Sequence, residues 1–136
     1  MYMPSPYEAV IRKFFAAVSD DRLSAMAPRL CAPSVTLHVT GQSPLAGDYH
    51  GIEAVAGGYF DDKRRGAPGG LRYEVSLVQV DGSVARALTT LHAVRRQHVL
   101  EMEQMGTFRI GRGKIEEIWL EPQDQAAFDD FFARCV

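Results

Sequence analysis

Residues 35–44, Val35-Thr36-Leu37-His38-Val39-Thr40-Gly41-Gln42-Ser43-Pro44, decide how the rest of the chain is interpreted. The first six of them are rich in β-branched side chains and alternate in polarity, which is typical of a β-strand. Gly41 to Pro44 then brings together residue types that favour a turn. The stretch therefore predicts a short first strand that ends at Gly41.

Two helices are predicted before this strand. Ser5, Pro6 and Glu8 have the spacing of a helix N-terminus with a capping box. An apolar stripe with helical period follows at Val10, Ile11, Phe14, Phe15 and Val18. A second, shorter stripe runs from Leu23 to Leu30, and it tolerates Pro28 only if that helix is short.

A brief extended segment and a third helix are predicted after the strand. Residues 47–51 leave room for a short extended return, and Gly57-Gly58 weakens the helix that follows it. The apolar side of this helix consists of Ile52, Val55, Ala56, Tyr59 and Phe60. A run of mixed charge begins at Asp61 and is followed by Gly and Pro, so residues 63–70 are predicted to form an exposed loop.

The second half of the chain changes to consecutive strands. Four are predicted, at Leu71–Val80, Ser83–Val94, Val99–Ile110 and Lys114–Leu120. Asp81-Gly82 is a hairpin signal, and Pro122-Gln123-Asp124 opens a last helix with Phe128, Phe131 and Phe132 on its apolar side. Helices followed by antiparallel strands predict an α+β domain, with the helices on one face of a curved sheet.

Composition limits the class of protein. The chain has 136 residues, of which 46% are hydrophobic and 24% charged, as expected for one globular domain over residues 1–136. A net charge of −2 lacks the basic footprint of a nucleic-acid-binding protein. No run approaches the roughly 20 apolar residues that cross a bilayer, and residues 1–10 do not resemble a signal peptide. We therefore expect a cytoplasmic protein with no membrane partner.

Metal and disulfide sites are not indicated. Cys31 and Cys135 are far apart in sequence without CxxC spacing, so both are expected to be free thiols. His92 and His98 have no standard ligand spacing, and we predict neither a metal nor a cofactor.

Two segments carry a resemblance to a known family. They are residues 38–51, which contain a Gly-x-Tyr-x-Gly turn, and residues 113–119, which end in Trp119 and precede Asp124. With the element order above, they resemble the SnoaL-like, ketosteroid isomerase-like branch of the NTF2-like superfamily. The resemblance implies a cystatin-like cone. Three N-terminal helices would pack on a strongly curved, mostly antiparallel sheet that encloses a cavity, with a short C-terminal helix and dimerisation through the outer sheet face.

The same comparison suggests residue roles. His38 falls where ketosteroid isomerases have their general-base Asp, whereas Phe14 and Gly106 fall at the positions of the two oxyanion donors. Since losing one such donor costs about 10² to 10³ in rate, steroid isomerisation by that mechanism is disfavoured. A replacement donor would come from Gln104, Tyr59 or the indole of Trp119.

Three residues are candidates for catalysis. The family's sheet places its first strand beside its last, and Glu117 shares a face with Trp119, so we predict a His38–Glu117 dyad with His38 as general base. The alternative is a structural histidine beside a solvated carboxylate. Asp124 is either an acid–base residue or the N-cap of the last helix.

The expected ligand is a small, flat, hydrophobic molecule with a few oxygens, bound by Phe14, Tyr59, Phe60, Gln104, Phe108 and Trp119. These residue types serve a plain core equally well. Three functions therefore stay open: a proton-transfer enzyme of the isomerase, polyketide cyclase or dehydratase type, a non-catalytic binder, and an assembly module that dimerises.

Overall fold

The computed structural model describes residues 5–133, so the prediction for Cys135 lies outside it. The helices are α1 (Pro6–Ser19), α2 (Leu23–Leu30), a π-helix (Glu53–Phe60), α3 (Asp61–Arg65) and α4 (Gln125–Phe131). The strands are β1 (Cys31–Val39), β2 (Gly47–His50), β3 (Gly70–Asp81), β4 (Val84–Arg95), β5 (His98–Gly111) and β6 (Lys114–Pro122). The four long strands agree with the sequence-based bounds to within a few residues.

Helix α1 begins where its capping residues predict. The Ser5 hydroxyl oxygen accepts a hydrogen bond from the backbone N–H of Glu8 at 3.1 Å, and Pro6 is the first helical residue. The apolar face of α1 is buried through Ile11, Phe14, Phe15 and Val18. Pro28 is accommodated because α2 has only eight residues.

The third helix differs from the prediction at both ends. Its first part, Glu53–Phe60, is a π-helix that continues directly into α3, and the helix ends at Arg65. The exposed loop predicted from residue 63 is therefore wrong at its start, because Lys63 is helical and has no exposed surface. The physical reason is spacing, since Lys63 follows Tyr59 by four residues and so shares its buried face.

Six strands form one sheet in the order β2-β1-β6-β5-β4-β3. Strand β1 pairs with β6 in parallel, and the neighbouring pairs are antiparallel. The first strand therefore lies beside the last, as the resemblance implies. A register shift between Arg109 and Ile110 breaks the alternation of β6, so that Glu116 and Glu117 both lie off the buried face between Ile115 and Ile118.

The helices cover one face of this sheet. Leu37 on β1, Phe108 on β5 and Ile118 on β6 are fully buried on that face. Phe14 of α1 packs on Phe108 with ring centroids 5.8 Å apart, so this face is the concave side that holds the core. The α+β cystatin-like architecture predicted from the sequence is confirmed. Within residues 5–133, no helix is long and apolar enough to cross a bilayer.

Helix α4 is docked on the loop that follows β1. The Asp124 carboxylate caps it by accepting from the N–H of Ala127 at 3.0 Å. Gln42 donates its backbone N–H to Asp129 at 2.9 Å, and Gln125 donates to the carbonyl oxygen of Thr40 at 3.2 Å. Gly41 has φ +115°, which favours glycine, and a Cβ there would meet the side-chain ends of Gln125 and Asp129 at 2.3 and 2.4 Å, so it would displace the groups that dock α4.

Candidate functional site

His38 and Glu117 are in contact, as the dyad requires. The imidazole Nε2 lies 2.6 Å from Glu117 Oε2, and Nδ1 lies 2.7 Å from Asp48 Oδ1. Arg109 donates to the second oxygen of Glu117 at 3.1 Å, and the imidazole stacks on the Trp119 indole with ring centroids 5.4 Å apart. This outer network, defined as these five residues, joins β2, β1, β6 and β5.

The outer network favours the protonated form of His38. Carboxylate oxygens only accept hydrogen bonds, so contacts at both ring nitrogens require a proton on each. The hydrogen bond to Asp48, followed by that to Glu117, raises the pKa of His38 above its ordinary value, although partial burial opposes the shift. The hydrogen bond from His38 and, to a smaller extent, those from Arg109 lower the pKa of Glu117. Geometry and charge therefore describe an imidazolium held between two carboxylates.

The outer network lies on the convex face of the sheet. Leu37 and Val39 point into the core on either side of His38, and the His38 side chain remains 27% exposed. Trp119 is half-buried on the same outer face, so it does not join the other residues predicted to bind a ligand. The catalytic hypothesis for His38 was framed for a histidine facing the cone interior, and the structure gives it the opposite facing.

The remaining predicted ligand-binding residues lie on the concave side, where they pack on one another. The ring centroid of Phe14 lies 5.6 Å from that of Phe60 and 5.8 Å from that of Phe108. Tyr59 is fully buried against Phe60 at 4.7 Å. Gln104 is also buried, and its side-chain oxygen has no hydrogen-bond partner within residues 5–133. Aromatic side chains thus fill the region where the resemblance implies a cavity.

A charged group lies inside this aromatic interior. Lys63 is fully buried, and its ammonium donates to the hydroxyl oxygen of Tyr59 at 2.9 Å and to that of Tyr73. Its Nζ also lies 5.0 Å from the ring centroid of Phe128 and 5.9 Å from that of Phe132. We call Lys63, Tyr59 and Tyr73 the lysine–tyrosine cluster. Burying an ammonium is costly, so such groups often mark functional sites.

The lysine–tyrosine cluster presents hydrogen-bond donors of a definite kind. Complete burial raises the pKa of the Tyr73 phenol well above its ordinary value, so this hydroxyl stays protonated at neutral pH. An ammonium that donates to a phenol oxygen polarises its O–H bond and strengthens it as a donor. The arrangement can therefore stabilise negative charge on an oxygen atom brought against it.

Helix α4 covers the lysine–tyrosine cluster. Phe128 and Phe132 are four residues apart, share one face, and lie over Lys63. Phe131, on another side of the helix, lies 4.7 Å from the guanidinium carbon of Arg95. Asp124 is accounted for as the N-cap of this helix. Among residues 5–133, no group of three His, Cys, Asp or Glu side chains is arranged to hold a metal ion.

Sequence reasoning missed four of these residues. Asp48 and Arg109 complete the outer network, but their partners depend on strand register, which no local pattern contains. Lys63 and Tyr73 complete the cluster. Lys63 could have been found, because it continues the apolar stripe of Tyr59 at a spacing of four residues.

The family model described as the SnoaL-like domain matches residues 11–118. No curated protein matches the chain by sequence. Solved structures match it closely in fold.

A protein of unknown function with a cystatin-like fold from Xanthomonas campestris has a TM-score of 0.83 and 20% identity, over 96% of this chain and 100% of that one. A protein from Jannaschia sp. CCS1 that is provisionally assigned as a SnoaL-like polyketide cyclase has a TM-score of 0.77 and 15% identity, over 98% of each chain. TerC, co-crystallised with polyporic acid, has a TM-score of 0.79 and 16% identity, over 94% of this chain and 98% of that one. At these identities the likeness extends to the fold alone.

Proposed function

Because this chain belongs to the SnoaL-like domain family, we propose that it is an enzyme acting on a small, flat, oxygenated hydrophobic molecule inside its cone. The reaction is a proton transfer of the isomerase, polyketide cyclase or dehydratase type, in which water that enters with the substrate takes the proton from a substrate carbon and this chain's residues stabilise the anion left behind. In each of these, negative charge develops on a carbonyl or phenol oxygen of the substrate, and the enzyme gains rate by stabilising that charge.

The observation that carries this proposal is the fully buried ammonium of Lys63 between two phenols. Tyr59 and Tyr73 would donate their hydroxyl protons to the substrate oxygen, while Lys63 strengthens both donors from behind. These two hydroxyls would replace the oxyanion donors that are missing because Phe14 and Gly106 occupy the donor positions. One oxyanion donor is worth about 2.7–4 kcal/mol in such reactions, so two of them account for a substantial part of a catalytic effect.

Substrate access requires a movement of α4. Phe128 and Phe132 cover Lys63, so a substrate oxygen reaches the cluster only when these rings withdraw. The helix has only seven residues, and its polar contacts to the β1–β2 loop are exposed. Its apolar contacts are the buried rings of Phe128, Phe131 and Phe132. Opening therefore uncovers these rings, and a hydrophobic substrate that takes their place offsets this cost.

The general-base role predicted for His38 has less support. Its ring lies on the convex face, and both ring nitrogens face carboxylates, so no lone pair is directed at a substrate. We therefore assign His38 a structural role in linking four strands, and we assign oxyanion stabilisation to the lysine–tyrosine cluster.

The test combines ligand binding with turnover. A thermal-shift panel of steroid enones, anthraquinone-type polyketides, naphthols and polyporic acid identifies the ligand class. A ligand at a concentration of a hundred times its Kd adds about 2.7 kcal/mol to the free energy of unfolding. Turnover of the stabilising compounds is then measured for the wild type, Tyr73→Phe, Lys63→Met and His38→Gln. We expect Tyr73→Phe and Lys63→Met to lose about 10² or more in kcat while His38→Gln keeps its activity.

The reverse pattern would restore the His38 hypothesis and remove ours. Binding without turnover of any bound compound would favour the alternative of a non-catalytic carrier of the same ligand class.

A second candidate function, self-assembly, rests on the convex face. Leu77, Leu88 and Met105 are register neighbours across β3, β4 and β5 on this face, and Leu77 and Met105 are 50% and 37% exposed. In a dimer with a twofold axis, the row of each copy would be covered by the same row of the other copy. Sedimentation velocity of the wild type and Met105→Glu tests this. A wild-type dimer that the substitution dissociates supports it, and a wild-type monomer at micromolar concentration removes it.

A further inference from the structure

A groove lies outside α4, on the side away from the lysine–tyrosine cluster. It has a volume of about 620 Å³ and runs between α4 and the turn that joins β4 to β5. Small-molecule sites typically have volumes of 300–1,000 Å³. We call it the mouth groove, and its lining includes Arg95, Arg96, His98, Val99, Leu100 and Phe131.

Arg95 is the most constrained of the polar groups in the mouth groove. Its guanidinium carbon lies 4.7 Å from the centre of the Phe131 ring, within the range of a cation–π contact that holds the group in the groove. Its Nη1 atom is buried and has no hydrogen-bond acceptor within residues 5–133. A charged donor is unfavourable when it is buried without an acceptor, so the Arg95 side chain gains by turning this atom toward an acceptor that a ligand brings into the groove.

The surroundings of Arg95 indicate an anion with an apolar body. Arg96 and His98 add positive or ionisable groups to the same lining, against one carboxylate, that of Asp130. Val99 is 67% exposed, while Leu100 and Phe131 present mostly buried apolar surface beside it. The groove therefore combines a guanidinium held against Phe131 with the exposed apolar side chain of Val99.

We propose that the mouth groove binds the oxyanion of a small hydrophobic acid, such as an aromatic carboxylate. The planar guanidinium of Arg95 pairs with the two oxygens of the acid, since Arg and carboxylate match in a bidentate geometry. The ring of the acid covers Val99, which is 67% exposed. This site is separate from the lysine–tyrosine cluster and does not depend on its chemistry, because α4 lies between them.

The experiment measures binding of 2-naphthoate and of its neutral isostere 2-naphthamide by calorimetry, with amide chemical shifts to locate the ligand. We expect naphthoate to bind at least about tenfold more tightly than the amide, since a charge-assisted pair exceeds a neutral hydrogen bond. Amide shifts should concentrate in residues 95–100 and in α4. The affinity should fall as salt is raised.

Variants separate the groove from other basic surfaces. Arg95→Gln should weaken naphthoate binding about tenfold or more, and Arg96→Asn, which suits the left-handed backbone at φ 55°, should weaken it by a smaller factor. Arg86→Gln, on the same strand but on its exposed outer face, should leave it unchanged. If Arg95→Gln does not fold, Arg96→Asn still reports on the groove.

Three results would overturn the proposal: no naphthoate binding at millimolar concentration, equal affinity for acid and amide, or unchanged affinity in both groove variants. Lys63→Met should retain full naphthoate binding, so failure of the mouth groove and failure of the proposed reaction are distinguishable.

Discussion

The ammonium nitrogen of Lys63 lies 2.9 Å from the hydroxyl oxygen of Tyr59, inside the cone and without exposed surface. The residues around this contact are mainly aromatic and aliphatic, and the buried polar side chains of Thr89 and Gln104 also lie on the concave side. His38 and Glu117, the pair that chemistry alone would favour, lie on the other side of the sheet. The interior contact therefore has the burial expected of a reactive site, and the outer contact has the charge pairing expected of a structural link.

The free energy of unfolding should distinguish a functional role of Lys63 from a structural one. Tyr73→Phe removes an acceptor from a buried ammonium, so we expect the free energy of unfolding to fall by about 1–3 kcal/mol. Lys63→Met removes the buried charge at similar volume and should leave this free energy unchanged or higher. Denaturant titration measures both, with Lys13→Met on the exposed side of α1 as control. If Lys63→Met destabilises as much as Tyr73→Phe, the lysine is a structural residue.

His38 and Glu117 should make stability depend on pH. The pKa of His38 is raised above 6.5, so its contribution is complete below that pH and is lost as the pH rises through the folded-state value. The pKa of Glu117 is lowered below 4.5, so its contribution is complete above that pH and is lost under stronger acid. The outer network should thus stabilise most between about pH 4.5 and 6.5.

Denaturant unfolding at pH 5.5 and 8.5 checks this dependence. The wild type should lose more stability between the two values than His38→Gln, and the control His50→Gln should follow the wild type. If the free energy of unfolding changes equally with pH in the wild type and in His38→Gln, the outer network does not contribute to stability.

Glycine at position 41 should be essential for the docking of α4. Gly41→Ala imposes an alanine at φ +115° and a Cβ within 2.3 Å of Gln125. Gly47→Ala imposes a comparable φ of +136°, with nothing within 4 Å, and is the matched control. Backbone strain costs about 1–3 kcal/mol in either variant, so Gly41→Ala should lose more because of the added clash. Hydrogen exchange of residues 125–131 should accelerate in Gly41→Ala only, and equal exchange in both variants would argue against this anchoring.

Cys31 should be inert in the folded protein. Burial raises the pKa of its thiol to about 12, so almost no thiolate is present at pH 8. In a Cys135→Ser background, labelling by a thiol reagent should follow the rate of unfolding. Rapid labelling of the native protein would contradict the buried position.

The sequence contains the fold in local patterns that agree with one another. Ser5 and Pro6 mark the first helix, Asp81-Gly82 marks a hairpin, and the alternation around His38 marks β1. The π-helix was not predictable in this way, because its apolar residues also fit an α-helical period and Gly57-Gly58 only weakens either form.

The site was predictable only in part, for reasons of facing. The neighbouring positions of β1 and β6 follow from the family's topology, so the contact of His38 with Glu117 was accessible. Its facing was also contained in the alternation, because Val35, Leu37 and Val39 take the core side and leave His38 on the other side. The resemblance to ketosteroid isomerases, which have their base inside the cone, implied the opposite facing. Lys63 was hidden by the charged residues after it, which suggest a solvated loop although the helical period continues to this residue.

The ionisation of a bound naphthol measures directly whether the lysine–tyrosine cluster stabilises an oxygen anion. A naphthol changes its absorbance when it loses its proton, so the pKa of the bound ligand can be read from spectra of the saturated complex. We predict a bound pKa at least one unit below that of the free naphthol in the wild type and in His38→Gln, and a return toward the free value in Lys63→Met. A bound naphthol that titrates identically in the wild type and in Lys63→Met would show that the cluster does not stabilise an oxygen anion.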